Sequence, residues 1–145
     1  MHRAALSVLA LIAASPVAAW SFDPLPICTL AHDAATLSIS LTYDPAQAEP
    51  YAIALTRPDP WPEAPVFGLR FEGAMGLLIT TDRHVLSDDG RTLTVTDRGF
   101  GNVLNGLEWN ALATALTGPV AETVSLDGAA GPVQAFRACR NPALS

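Results

Sequence analysis

An α+β fold, mainly antiparallel β, is predicted by three features of this chain. Apolar residues alternate with hydroxyl or small polar ones over most of its length, the period-two pattern of strands with one face in a core. Turn signals rich in Gly, Pro and Asp separate the alternating runs. A period of three to four apolar residues appears only after Asp97 and again near the C-terminus. The expected form is a curled sheet or small sandwich with one or two helices packed on one side or end.

The N-terminal segment 1–19 has a basic start (His2, Arg3), an apolar run from Ala4 to Ala14 and the small-residue ending Val17-Ala18-Ala19. These are the three parts of a secretory signal, so the mature chain is expected to begin at Trp20 and to form one domain over 20–145. No apolar run approaches the roughly 18 residues of a membrane-crossing helix, and no membrane span is expected. Leu25-Pro26-Ile27-Cys28 lacks the small residue that lipoprotein processing places before its cysteine. The complete absence of lysine beside abundant alanine suggests a GC-rich bacterial genome. The expected location is therefore the periplasm or the secreted fraction.

Removing Arg3 leaves seven arginines against fourteen acids. Phosphate binding needs a basic patch that this count cannot assemble, so no nucleic-acid partner is expected. The two cysteines, Cys28 and Cys139, stand near the two ends of the domain. In an oxidising compartment two lone thiols of one small domain usually pair, and the spacing has no CxxC character. A Cys28–Cys139 disulfide joining the termini is expected.

Cys28 and Leu30, then Leu37, Ile39, Leu41 and Tyr43, alternate with Ser and Thr and predict two strands turning at His32-Asp33-Ala34-Ala35. Tyr51, Ile53 and Leu55 predict a third strand and Val66 to Phe71 a fourth. Between these lies Arg57-Pro58-Asp59-Pro60-Trp61-Pro62-Glu63-Ala64-Pro65, with four prolines in nine residues. Such a segment cannot join a ladder and is expected as an extended surface loop. Trp61 is its one large apolar group, either a lid on the core edge or a rigid anchor for a partner. Trp20 at the mature terminus offers a second anchor.

The best specified stretch runs from Leu77 to Leu116. Leu77 and Ile79, then Leu93 and Val95, alternate with threonines around Ser87-Asp88-Asp89-Gly90, which predicts a hairpin. Val103, Leu104, Leu107, Ala111, Leu112, Ala115 and Leu116 follow a helical period, capped at Asn102 or Asp97 and stopped by Gly118-Pro119. Gly106 inside it marks either a close approach to the sheet or a break into two short helices. Thr81-Asp82-Arg83 and Thr96-Asp97-Arg98 repeat a corner where each strand gives out; their two arginines are a possible small-anion site. Val120 to Leu126 predicts a last strand, and Val133, Phe136 and Cys139 a short terminal helix beginning near Gly131.

The runs Leu112-Ala113-Thr114-Ala115-Leu116-Thr117-Gly118, Val124-Ser125-Leu126-Asp127-Gly128-Ala129 and Ala135-Phe136-Arg137-Ala138-Cys139 resemble the ending of many small exported alphaproteobacterial proteins, including the invasion-associated locus B family. The stretch from Thr81 to Asn110 resembles a set of uncharacterised exported proteins of the same bacterial group. Both resemblances imply an exported protein, and neither brings a catalytic residue with it.

His32 and His84, with Asp33 and Asp82, have the residue types of a Zn²⁺ site but no ligand pair at helical or finger spacing. Ser87, His84 and Asp88 have the types of a hydrolase but crowd into one turn, without a GxSxG elbow. Asp82, Asp97 and Glu108 are the acids available to a glycosidase-like cleft. Asp88-Asp89-Gly90 lacks the acids and closing glutamate of a Ca²⁺ loop. No catalytic residue, metal or cofactor is assigned. The expected function is a noncatalytic binding or accessory protein for an envelope or secreted protein, using Trp61 or Trp20 with a rim of Arg83, Arg98, Asp82 and His84. The alternative is a small hydrolase or metal-dependent enzyme centred on His84 and Asp82.

Overall fold

The computed structural model describes residues 19–139 and, before them, Ala4, Ala5 and Ser7. The expected export segment 1–19 thus falls almost wholly outside the described residues. Among the described residues ten strands and two helices follow in order: β1 (Ser21–Asp23), β2 (Cys28–Asp33), β3 (Ser38–Tyr43), β4 (Tyr51–Thr56), β5 (Phe67–Gly73), β6 (Leu77–Thr81), β7 (Val85–Ser87), β8 (Thr92–Asp97), α1 (Gly101–Trp109), β9 (Asn110–Thr117), β10 (Val120–Ser125) and α2 (Ala130–Ala138). They form a six-stranded sheet, β1-β2-β3-β4-β8-β7, and a four-stranded sheet, β10-β9-β5-β6. Every strand pair is antiparallel. The α+β expectation is met as a two-sheet sandwich with helices between its layers at one end.

Alternation decides which face of each strand is inside. Leu30, Leu41, Ile53, Leu55, Leu93 and Val95 of the large sheet face Phe67, Leu69, Phe71, Ala113 and Ala115 of the small one, and all are buried. The outward positions of β3, β4 and β8 are hydroxyls and alanines, as in the rows Ser40–Ala54–Thr94 and Thr42–Ala52–Thr96. The small inward side chains Ala113 and Ala115 leave room on the small sheet for α1. There Gly106 lies against Phe71, so close that a Cβ at residue 106 would stand 2.4 Å from the Phe71 ring. Gly106 therefore marks a close approach and not a break. Gly106→Ala is expected to destabilise the fold by about 1 to 3 kcal/mol through overpacking, measured by urea denaturation. A gain near the roughly 1 kcal/mol that helix propensity alone favours would contradict that packing.

Three sequence expectations are corrected. The turn does close a hairpin, as a four-residue loop over 88–91 with Asp88, Asp89 and Gly90 at φ 56, 54 and 85 and the Gly90 N–H donating to the Ser87 carbonyl at 3.1 Å. Its arms, however, are β7 and β8. The Leu77–Thr81 strand crosses to the other sheet and pairs with β5, a choice that alternation alone does not encode. The helix stops at Trp109, and residues 110–117 form β9, because Ala113, Ala115 and Thr117 also satisfy an inward period of two. Asn110 ends α1 from its side chain, donating to the carbonyls of Gly106 at 3.0 Å and Met75 at 2.9 Å and accepting from the Met75 N–H at 3.0 Å. Neither Asn102 nor Asp97 caps α1: Phe100 is the N-cap residue and makes no side-chain cap. Gly118-Pro119 is the turn between β9 and β10, with Gly118 at φ 52.

α2 packs against α1, β1 and β2. Arg137 joins it to α1, donating to Glu108 at 2.9 Å and Asn105 at 2.7 Å. Immediately after α2, the Cys28–Cys139 disulfide fastens the chain end to β2, with the Cα atoms 6.2 Å apart.

Candidate functional site

The two tryptophans expected as anchors are in the core. Trp61 is 3% exposed, its Nε1–H donates to the Leu55 carbonyl at 3.0 Å, and its backbone N–H donates to the Gly90 carbonyl at 2.8 Å. The Arg57 guanidinium covers the ring at 5.1 Å and pairs with Glu122 at 3.4 Å. Trp20 is 5% exposed, stacks on His32 with centroids 4.6 Å apart, and donates from Nε1 to the Ser125 carbonyl at 3.0 Å. The proline-rich segment thus folds back as a lid, and both indoles are buried within the domain. Trp109, which sequence reasoning passed over, is the half-exposed tryptophan.

One ring nitrogen of His84 is hydrogen-bonded and the other is buried. Its Nε2 lies 2.9 Å from the Ala64 carbonyl; since a carbonyl only accepts, Nε2 carries the proton. The other nitrogen, Nδ1, is buried without a partner. Asp82 is exposed beside it, and no hydrogen bond or ion pair joins the two. Among the described residues no three His, Cys, Asp or Glu side chains lie close enough together to hold a metal ion.

The two Thr-Asp-Arg corners do meet. Each closes locally through its own side chain: the Arg83 N–H donates to Thr81 Oγ1 at 3.1 Å, and the Arg98 N–H to Asp97 Oδ1 at 2.7 Å. The Arg83 guanidinium then bridges them, reaching Asp97 at 3.7 Å and Glu49 at 3.4 Å and donating to the Thr96 carbonyl at 3.1 Å. Arg98 stays exposed and outside this bridge. Because two carboxylates surround Arg83, the corner carries no excess positive charge, and the anion site expected at the two arginines is not formed.

Behind the corner the layers part around a cavity of about 370 Å³. Its walls are Ile53 and Val95 from the large sheet, Phe67, Leu69 and Ile79 from the small sheet, and Val103 from α1. Its mouth is polar, formed by Thr81, Arg83, Asp97 and Asn102. The first turn of α1 also lines it, with no acidic residue and no side-chain cap, so that turn presents backbone N–H groups that lack an intrahelical acceptor. An apolar cavity of this size with a few convergent polar groups is the usual form of a small-molecule site. Comparison with protein-family models, with curated proteins and with solved structures finds no match.

Of the expected site residues, Arg83 lines this cavity; Asp82, His84 and Arg98 lie beside it in the chain but do not. Ile53, Phe67, Leu69 and Val103 read in sequence only as core. The one legible signal was the repeated corner at the cavity mouth.

Proposed function

We propose that this chain is a noncatalytic binding protein of the periplasm or the secreted fraction, whose interlayer cavity holds a small amphipathic molecule. The observation that carries this is the cavity itself, apolar inside and open among hydrogen-bonding groups. Its volume suits the tail of a small ligand and not a polymer. The mouth selects against net charge: an anionic head would face Asp97 and Glu49, and a cationic head would compete with Arg83 for the same carboxylates. An uncharged acceptor, such as an amide or ester carbonyl, matches the free N–H groups of α1 and the Arg83 guanidinium. The disulfide supports action in an oxidising compartment.

Isothermal titration with octanamide and octanoate tests the proposal. Octanamide is expected to bind, octanoate about tenfold more weakly or less, a difference of about 1.4 kcal/mol. Ile79→Trp, at a half-buried cavity wall, is expected to abolish both while the domain still melts cooperatively. Binding that Ile79→Trp leaves unchanged, or no binding of either compound, would contradict it.

A further inference from the structure

The outward face of the small sheet carries a self-complementary pattern. On β5, Arg70 and Glu72 form an exposed ion pair at 2.8 Å. Their direct cross-strand neighbours are Leu78 on β6 and Leu112 on β9, both exposed, at 56% and 38%. Met75, 58% exposed, stands at the β5–β6 turn at the end of the same strands. The remaining outward positions of β6, β9 and β10 carry no charge. In a chain with net charge −6, whose acids cluster in loops and at strand ends, this face is one place where a like-charged copy approaches without repulsion. The outer face of the large sheet has one exposed large apolar residue, Val85 on the β7 edge, and an Arg83–Glu49 ion pair beside Thr96, but both lie at its margin, and its middle strands offer only hydroxyls and alanines.

We propose that the outward face of the small sheet is the interface of a two-fold homodimer. A two-fold axis lying in the interface and crossing β5 at Phe71 sets Arg70 of one copy against Glu72 of the other, and the reverse, so the pair within each chain becomes two reciprocal pairs between chains. Leu78 and Leu112 flank these pairs and exclude water from them. Both helices lie on the inner side of the sheet and leave this face open. Four strands spaced by about 4.8 Å, with about six residues each rising about 3.3 Å, give a footprint of roughly 19 by 20 Å. That is about 380 Å² per copy, below the range of stable specific interfaces, so the dimer is weak and forms only at high protein concentration. The association is independent of the cavity and of what the cavity holds.

Sedimentation velocity of the disulfide-bonded chain from micromolar to millimolar concentration tests this. The wild type is expected to shift from monomer to dimer. Arg70→Glu places four carboxylates at the contact and is expected to weaken association at least about tenfold. Adding Glu72→Arg to Arg70→Glu restores opposite charges and is expected to restore the dimer. Both side chains are exposed, so thermal melts of the variants should match the wild type. A wild type that stays monomeric at millimolar concentration overturns the proposal. A dimer that Arg70→Glu leaves intact, joined through the uncharged edge of β6 or another face, overturns it as well.

Discussion

Trp61→Ala is expected to destabilise the domain by about 3 to 5 kcal/mol, the usual cost of emptying a buried aromatic site. The indole seals one margin of the sandwich. Its six-membered and five-membered rings fill a space closed by Arg57, its Nε1–H satisfies the Leu55 carbonyl of β4, and its backbone docks on Gly90 in the β7–β8 turn. Truncation leaves a cavity, an unsatisfied carbonyl and an uncovered Arg57, whose Nε is already buried without a partner. The proline-rich segment would then be held by its stiffness, the residue 61 N–H on the Gly90 carbonyl and His84 on the Ala64 carbonyl, without the buried indole. Urea denaturation measures the loss. A change below about 1 kcal/mol, the scale of an ordinary surface substitution, would mean that Trp61 faces solvent.

Opening the disulfide is expected to cost about 4 to 5 kcal/mol, because the bond closes a loop across 111 residues and so removes much of the freedom of the unfolded chain. The paired variant Cys28→Ser with Cys139→Ser should show this loss while keeping its β-sheet circular dichroism. The native contacts of α2 do not depend on the bond alone: Val133 and Phe136 are buried, and Arg137 remains paired with Glu108. The loss should therefore appear as a lower denaturation midpoint and not as a detached helix. An unchanged midpoint would show that α2 and the sheet already hold the termini together in the unfolded ensemble.

Much of this architecture was legible because strand residues obey a local rule. The alternation at Leu30, Ile39, Leu41, Ile53 and Leu55 located β2, β3 and β4, and Asp88-Asp89-Gly90 located the turn into β8 but not its other arm, β7. What was not legible depends on partners distant in sequence. Ala111, Leu112, Ala115 and Leu116 fit a helical period, while Ala113, Ala115 and Thr117 fit a strand; pairing with β5 and β10 decides between them. The same holds for Leu77–Thr81, whose alternation says nothing of which sheet it joins. For Trp61, four nearby prolines signalled an exposed loop, but burying the indole outweighs the preference of the rest of that segment for water. The cavity is the least legible feature of all. It gathers Ile53, Phe67, Ile79, Val95 and Val103 from separate elements, each of which reads as core in its own strand or helix, and only the Arg83–Asp97 corner announces its mouth.

Methyl-resolved NMR of the disulfide-bonded chain during titration with octanamide tests the cavity most directly, since Ile53 and Val95 of the large sheet, Ile79 of the small sheet and Val103 of α1 carry reporting methyls on its three walls. Saturable shifts are expected at these four residues, with Leu30, Leu78 and Leu112, which do not line it, unmoved. If the four stay still while octanamide shifts methyls on the outer faces, or if nothing shifts, the interlayer cavity is not a binding site.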